Sequence, residues 1–264
     1  MTRSYTYSAL ALRVKPTGES NREAWFLTSE EGLIRATVFG GPKSRLRSQV
    51  APFHEGKLWI YHDPVRDSRK VSDFDVQSWR PGIRELYERT MAADALAETI
   101  LASQGGGGAW PRAAELAGSV LDALEAADPA ACSRMGIYFL WHWAAILGAK
   151  PDLSACGGEC QAPERGNARN NACEARQDGV LWYSARKEAL FCEKCAQAQR
   201  TDRQPPLMRL GPGARRWLSE IESLPAAALA RISLDTPSLE QARALSQAVL
   251  AGALGRKLPT WEGI

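Results

Sequence analysis

The hydrophobic pattern of the chain changes period once, near residue 82. Before that point apolar and polar positions alternate. Tyr5, Tyr7, Ala9, Ala11 and Arg13 alternate with Thr6, Ser8, Leu10, Leu12 and Val14, which suits a strand paired on both sides. Residues 24–28 read as a second strand and residues 33–39 as a third. Between them Glu30-Glu31-Gly32 makes a tight turn whose glycine is free to take positive φ. Gly40-Gly41-Pro42 ends the third strand, and residues 57–61 and 71–76 supply two more. Five short strands with early hairpins predict a small closed barrel of the oligonucleotide-binding (OB) type, although an SH3-like barrel would show the same pattern.

After residue 82 the period becomes helical. Ile83, Leu86, Tyr87, Leu96, Ile100 and Leu101 recur at three- and four-residue spacing to about residue 102. Gln104 and the four glycines after it predict a flexible connector. A second helix follows over about 111–126. A third opens at Asp128-Pro129, with Asp128 as its cap, and stops at Gly148. It carries Met135, Ile137, Phe139, Leu140, Trp141, Trp143, Ile146 and Leu147. Being apolar on nearly every face, it should be the buried centre of a bundle, with His142 packed in the core. Residues 180–183 and 189–191 form a short hairpin, and helices near 193–200, 212–223 and 238–254 complete the chain.

Cysteine spacing adds a metal site to this picture. Cys156-Gly-Gly-Glu-Cys160 and Cys192-Glu-Lys-Cys195 are two close pairs that can wrap one tetrahedral ion, and thiolates favour Zn2+. We expect one structural zinc per chain on Cys156, Cys160, Cys192 and Cys195. Cys173, in the polar loop 161–178, competes for the place of Cys160. The first residues form no apolar signal segment, so a reducing cytosol is expected, where paired cysteines favour metal over disulfides. A closed four-thiolate site leaves no position for a catalytic water. Cys132 reads as a small buried hydrophobe. No apolar run is long enough to span a bilayer.

Charge distribution then changes the functional picture. The 264 residues carry a net charge of only +3, but residues 1–80 hold 13 Lys+Arg against 9 Asp+Glu. The excess suggests a polyanion-binding barrel. Lys43, Arg45 and Arg47 crowd the loop after Gly40-Gly41. Arg35 precedes it, and Arg69 and Lys70 follow in the next basic cluster. Exposed cations of this kind contact phosphates, and Trp25, Phe39, Phe53, Trp59 and Tyr61 interleave with them as candidate base-stacking platforms. No phosphate-binding loop, dinucleotide fingerprint or nucleophile–histidine signature is present, so a non-enzymatic function is expected. Two rival readings are a zinc-dependent nucleic-acid-processing enzyme and an adaptor whose barrel binds only protein.

Four stretches resemble the bacterial DNA repair protein RecO family of recombination mediators. They are Gly18-Glu-Ser with Gly32-Leu-Ile-Arg35, Lys43-Ser-Arg-Leu46 and Pro52-Phe53; the run from Leu147 to Cys156; Tyr183-Ser-Ala-Arg with Leu190-Phe-Cys-Glu-Lys-Cys-Ala196; and Leu254-Gly-Arg-Lys-Leu258. The resemblance implies an α+β multidomain chain: an N-terminal OB-type β-barrel followed by an α-helical domain that contains a small zinc module. The expected division is 1–80 for the barrel, 81–151 for the first helical part, 152–196 for the zinc module and 197–264 for the second helical part. The resemblance further implies binding to single- and double-stranded DNA, strand annealing, a complex with RecR, and loading of RecA onto DNA coated with single-strand binding protein (SSB). It implies docking of the SSB C-terminal tail and a cytoplasmic, nucleoid-associated location. Arg35, Lys43 and Arg45 match its motif as DNA contacts; Arg47, Arg69 and Lys70 rest on charge alone.

Overall fold

Small and branched side chains at alternate positions of five strands close into a barrel. In the computed structural model, which describes residues 3–40, 44–158, 179–198 and 206–264, these are β1 (Ser4–Thr17), β2 (Asn21–Thr28), β3 (Gly32–Val38), β4 (Glu55–Asp63) and β5 (Ser68–Ser78). β1 is long enough to pair with β4 through its first half and with β2 through its second. β3 closes on β5 in parallel, at Thr37 and Lys70, giving the cyclic order β1-β2-β3-β5-β4. A simple meander would pair β3 with β4. The parallel closure is the Greek-key OB arrangement and decides between the two barrel types.

Tyr7, Ala9, Ala11, Phe26, Ile34, Ala36, Leu58, Ile60, Val71 and Phe74 fill the interior. Phe26 and Phe74 meet edge-on at 5.7 Å, a contact worth roughly 0.5–1.5 kcal/mol beyond its buried area. Strict alternation fails once in β1. The register shifts between Ala11 and Arg13, so Leu12 has no strand partner, Val14 turns toward the core, and Arg13 and Lys15 point out. A bulge of this kind bends the strand and reverses the parity of everything after it.

Leu10, Leu12 and Leu27 are buried although they face away from the barrel interior. Two helices of the same unit cover them: α2 (Tyr87–Ala102) and α3 (Trp110–Leu124). Between these helices the expected flexible connector is an ordered left-handed turn. Gln104 and Gly105 through Gly108 all have positive φ, from 52° to 117°. The Gly105 N–H donates to Ile100 O at 2.9 Å and the Gln104 N–H to Leu101 O at 3.4 Å, which closes α2 with a Schellman motif. Gly105 lies against Leu33 and Leu27 of the barrel. A run of glycines is needed there because five successive left-handed residues would each strain a β-carbon.

The link from barrel to helices is held by Arg80. Its backbone is left-handed (φ 45°) and its side chain is only 2% exposed. Nε donates to Asp122 of α3 at 2.6 Å, one terminal nitrogen to the Phe53 carbonyl at 2.9 Å, and the other to Glu55 of β4 at 2.5 Å. A 3-10 turn, Pro81–Glu85, follows, and Leu86 is extended, so α2 starts at Tyr87 rather than at residue 82. The chain end returns to this unit: the Trp261 indole is buried and donates to Thr99 Oγ1 at 2.8 Å.

The second unit spans Leu140–Lys257. It contains the later residues of α4 (Pro129–Ile146), the hairpin β6 (Leu181–Ser184) and β7 (Ala189–Cys192), α5 (Glu193–Ala198), α6 (Pro212–Glu220) and α7 (Thr236–Leu254). A strand absent from the sequence reading, β8 (Met208–Leu210), extends the hairpin to three strands. Trp141 and Trp143 are fully buried. His142 is half-buried, and its Nε2 lies 3.1 Å from the Ile221 carbonyl rather than in apolar packing. Cys132, in the part of α4 that belongs to the first unit, is buried, and burial pushes its thiol up to about 11, as suits an inert side chain. Among the described residues no helix is long and apolar enough to cross a membrane.

Arg80→Met removes one partner of a buried charge cluster and strands the Phe53 carbonyl. Because Glu55 and Asp122 can turn to water, we expect a loss of about 2–3 kcal/mol, read as a lower urea midpoint. Lysine should not rescue it, since one ammonium cannot reproduce the fork. An unchanged midpoint would contradict this role.

Candidate nucleic-acid interface and metal centre

Where the helices leave the barrel uncovered, the outward positions of four strands form one strip. The bulge brings Arg13 and Lys15 to this side. Arg13 pairs across β1–β2 with Trp25, and Trp25 pairs across β2–β3 with Arg35. One row along, Lys15 pairs with Glu23, Glu23 with Thr37, and Thr37 with Lys70 of β5. Phe39 continues the outward row of β3 and is exposed. Two aromatic faces are capped by amines: Lys15 Nζ lies 5.8 Å from the Trp25 ring and Lys70 Nζ 5.2 Å from the Phe39 ring. Cations beside aromatic rings are the combination that holds a nucleic-acid backbone while bases stack.

In the two paired rows the acid is Glu23, 3.1 Å from the exposed Arg35 guanidinium, and Arg13 at the edge nearest α2 also has Asp94 of that helix as a charged neighbour. A surface pair such as Glu23 with Arg35 is worth ~0–1 kcal/mol, so an arriving phosphate can replace it. Beside the strip the loop after Gly40 is not irregular throughout; it forms a one-turn helix, α1 (Arg45–Gln49). The Arg22 guanidinium secures that helix by donating to Leu46 O at 3.2 Å and Val50 O at 3.3 Å. Burial, and after it the neighbouring Arg47, lower the Arg22 pKa from its ordinary value. Arg45 is exposed and donates to Asp73 of β5 at 3.0 Å, while Arg47 projects into solvent. Lys43 lies outside the described residues.

The sequence-derived cations therefore separate into groups. Arg35 and Lys70 share the strip, and Arg45 and Arg47 share α1. Arg69 has the opposite parity from Lys70 and is half-buried at a barrel end, bonded to Glu31, which also accepts from the Tyr7 hydroxyl. Burial, then the Glu31 hydrogen bond, raise the Tyr7 pKa. Arg13 and Lys15 escaped the sequence reading because the bulge cannot be seen in alternation. Of the aromatics, Trp25 and Phe39 lie on the strip. Phe53 is buried, and Trp59 and Tyr61 face out on β4, where Trp59 pairs with Thr6 and Asp73. A cleft of about 360 Å³ between the barrel and α3 is a poor phosphate site, because Glu55, Glu115 and Asp122 line it.

In the second unit, the Sγ atoms of Cys156, Cys192 and Cys195 lie within 4.8 Å of one another. Cys192 ends β7 and Cys195 lies in the first turn of α5, so the strand-to-helix corner aims both thiols at Cys156. The Gly157 N–H donates to Leu190 O at 2.8 Å, and the Cys192 N–H donates to Cys156 Sγ at 3.3 Å. Gly158 is needed for closeness: a β-carbon there would sit 2.5 Å from Cys195 Sγ. Thiolates around a tetrahedral ion with 2.3 Å bonds stand roughly 3.8 Å apart, so this soft, convergent donor set fits a thiophilic metal. Cys160 and Cys173 lie outside the described residues.

Comparison with known proteins covers both units, with a boundary between family models that falls inside the first. The N-terminal model of recombination protein O matches residues 1–77, and its C-terminal model matches residues 84–262. The chain belongs to the RecO family. Curated relatives named DNA repair protein RecO include one from Synechococcus sp. (strain JA-2-3B'a(2-13)), 25% identical over 236 residues, covering 84% of this chain and 75% of the relative. Another, from Synechococcus sp. (strain JA-3-3Ab), is 24% identical over 75% of this chain and 64% of its own length. A third, from Gloeothece citriformis (strain PCC 7424), is 33% identical over 38% of this chain and 36% of its own length. For the latter two, the match spans less than two thirds of the relative.

Purified without added metal, the chain should retain about one thiophilic divalent ion, and Cys192→Ala should lose it. A folded, metal-free wild-type chain would contradict the metal centre.

Proposed function

We propose that this RecO-family chain is a DNA repair mediator that holds DNA on the strip made by β1, β2, β3 and β5. The observation that carries this reading is the alignment of Arg13, Trp25 and Arg35 across three adjacent strands, flanked by Lys15, Lys70 and Phe39. It is also the side of an OB barrel, around β2 and β3, that suits an oligonucleotide. Arg35, Lys70, Arg45 and Arg47 supply phosphate contacts, with Lys43 extending them. Arg69 contributes only if it exchanges Glu31 for phosphate.

The mechanism is stoichiometric. Cations on the strip neutralise the backbone of a single strand, and Trp25 and Phe39 stack its bases. Repulsion between two such strands then falls, and complementary bases pair. No bond is made or broken, so no residue has a catalytic role. Family membership supports the remaining parts: binding of duplex DNA, a complex with RecR, docking of the SSB C-terminal tail, and loading of RecA in the cytoplasm. The cysteine corner holds Zn2+ as a structural clip, with Cys160 as the fourth ligand in preference to Cys173, because the nearer residue leaves less loop to order.

Arg35→Ala with Lys70→Ala should weaken single-strand binding alike for all sequences and lower the log–log salt slope by about 1.4, two phosphate contacts at ~0.7 each. Trp25→Ala should cost roughly 1–3 kcal/mol of affinity with the slope unchanged. Fluorescence anisotropy across a salt series checks both. Wild-type affinity in the double variant would remove the strip from the interface.

A further inference from the structure

The β4–β5 hairpin ends in an apolar tip. Strand pairing continues to Asp63 and Ser68, leaving only Pro64-Val65-Arg66-Asp67 in the turn. Turns favour glycine, proline, asparagine, aspartate and serine, so Pro64 and Asp67 are expected there, yet Val65 is 87% exposed, the highest value for a large hydrophobic side chain among the described residues. Pro64 beside it is exposed as well. The turn has a local hydrogen bond, from the Val65 N–H to Asp63 Oδ1 at 3.1 Å, and Asp67 takes a left-handed backbone (φ 44°). A scattered exposed valine would need no explanation; a Pro-Val tip just beyond the end of the proposed DNA strip does.

That position follows from register. Lys70, the β5 end of the strip, pairs with Tyr61, and the Asp63–Ser68 pair lies two residues further out. The tip therefore stands about 7 Å beyond the strip's last cation at strand spacing. Arg66 follows Val65 directly and is exposed, with no ion-pair partner among the described residues. An apolar side chain beside a cation is the pairing used by proteins that insert between base steps while gripping the adjacent phosphate.

We propose that the β4–β5 tip is a wedge for a junction between single-stranded and duplex DNA. The single strand runs along the strip, and Pro64 and Val65 press against the first base pair while Arg66 holds its phosphate. The tip thereby marks where pairing begins, which is the boundary that must advance during annealing. This rests on the DNA-binding reading above but concerns a different surface and a different DNA structure.

The test uses the full chain, a single strand, and a duplex with a single-stranded tail carrying 2-aminopurine at its first paired position. Wild type should raise 2-aminopurine fluorescence and bind the tailed duplex on the order of tenfold more tightly than Val65→Ser does. Val65→Ser should lose most of the fluorescence rise while its single-strand affinity stays within about twofold of wild type. Val65→Leu should keep both properties. Full fluorescence and tailed-duplex affinity in Val65→Ser would overturn the wedge and leave the tip to a protein partner. Equal loss on single strand and junction would also overturn it, making Val65 part of the general track. A wild-type chain that binds neither DNA would instead defeat the strip reading, and the wedge with it.

Discussion

One buried guanidinium decides which part of the barrel is open. Arg80 joins the Phe53 carbonyl and Glu55 of β4 to Asp122 of α3. By fixing α3 there, it keeps Leu10, Leu12 and Leu27 covered and leaves the outward positions beyond the β1 bulge to solvent. Left-handed backbone at Arg80 costs ~1–2 kcal/mol, which three hydrogen bonds to a buried charge offset. Glu55 and Asp122, the carboxylates that Arg80 holds, also line the neighbouring cleft together with Glu115 and Arg80 itself.

The strip itself is ordinary in strength and specific in arrangement. Its one ion pair and its two amine–aromatic contacts are each weak enough to be exchanged. What the fold adds is placement: three adjacent strands hold Arg13, Trp25 and Arg35 in one row, so charge and aromatic surface are presented together. The cysteine corner does a different job. Its geometry depends on a strand end, a helix start and two glycines.

Much of this was legible in the residues. Period-two alternation located all five barrel strands, because core-facing and outward positions differ in polarity along each one. The apolar helix around Trp141 and Trp143 and the cysteine corner were legible for similar reasons, composition in one case and spacing in the other. What stayed hidden depended on events that leave no periodic trace. The bulge at Leu12 moves Arg13 and Lys15 to the strip without changing composition, so alternation grouped Arg13 with the core positions Ala9 and Ala11. Five positive-φ residues look like a linker in sequence, but they cap α2 against Leu27 and Leu33. β8 is three residues long and takes its identity from pairing with β6. Arg80 carries no signal in the sequence, since only tertiary packing buries it.

Photo-crosslinking of the full chain to a uniformly substituted single strand, with the modified peptides located by mass spectrometry, tests the central claim most directly. Adducts should concentrate in β2 and at the end of β3, at Trp25 and Phe39, and disappear at high salt. Adducts confined to residues 140–257, with none in the barrel, would contradict the account.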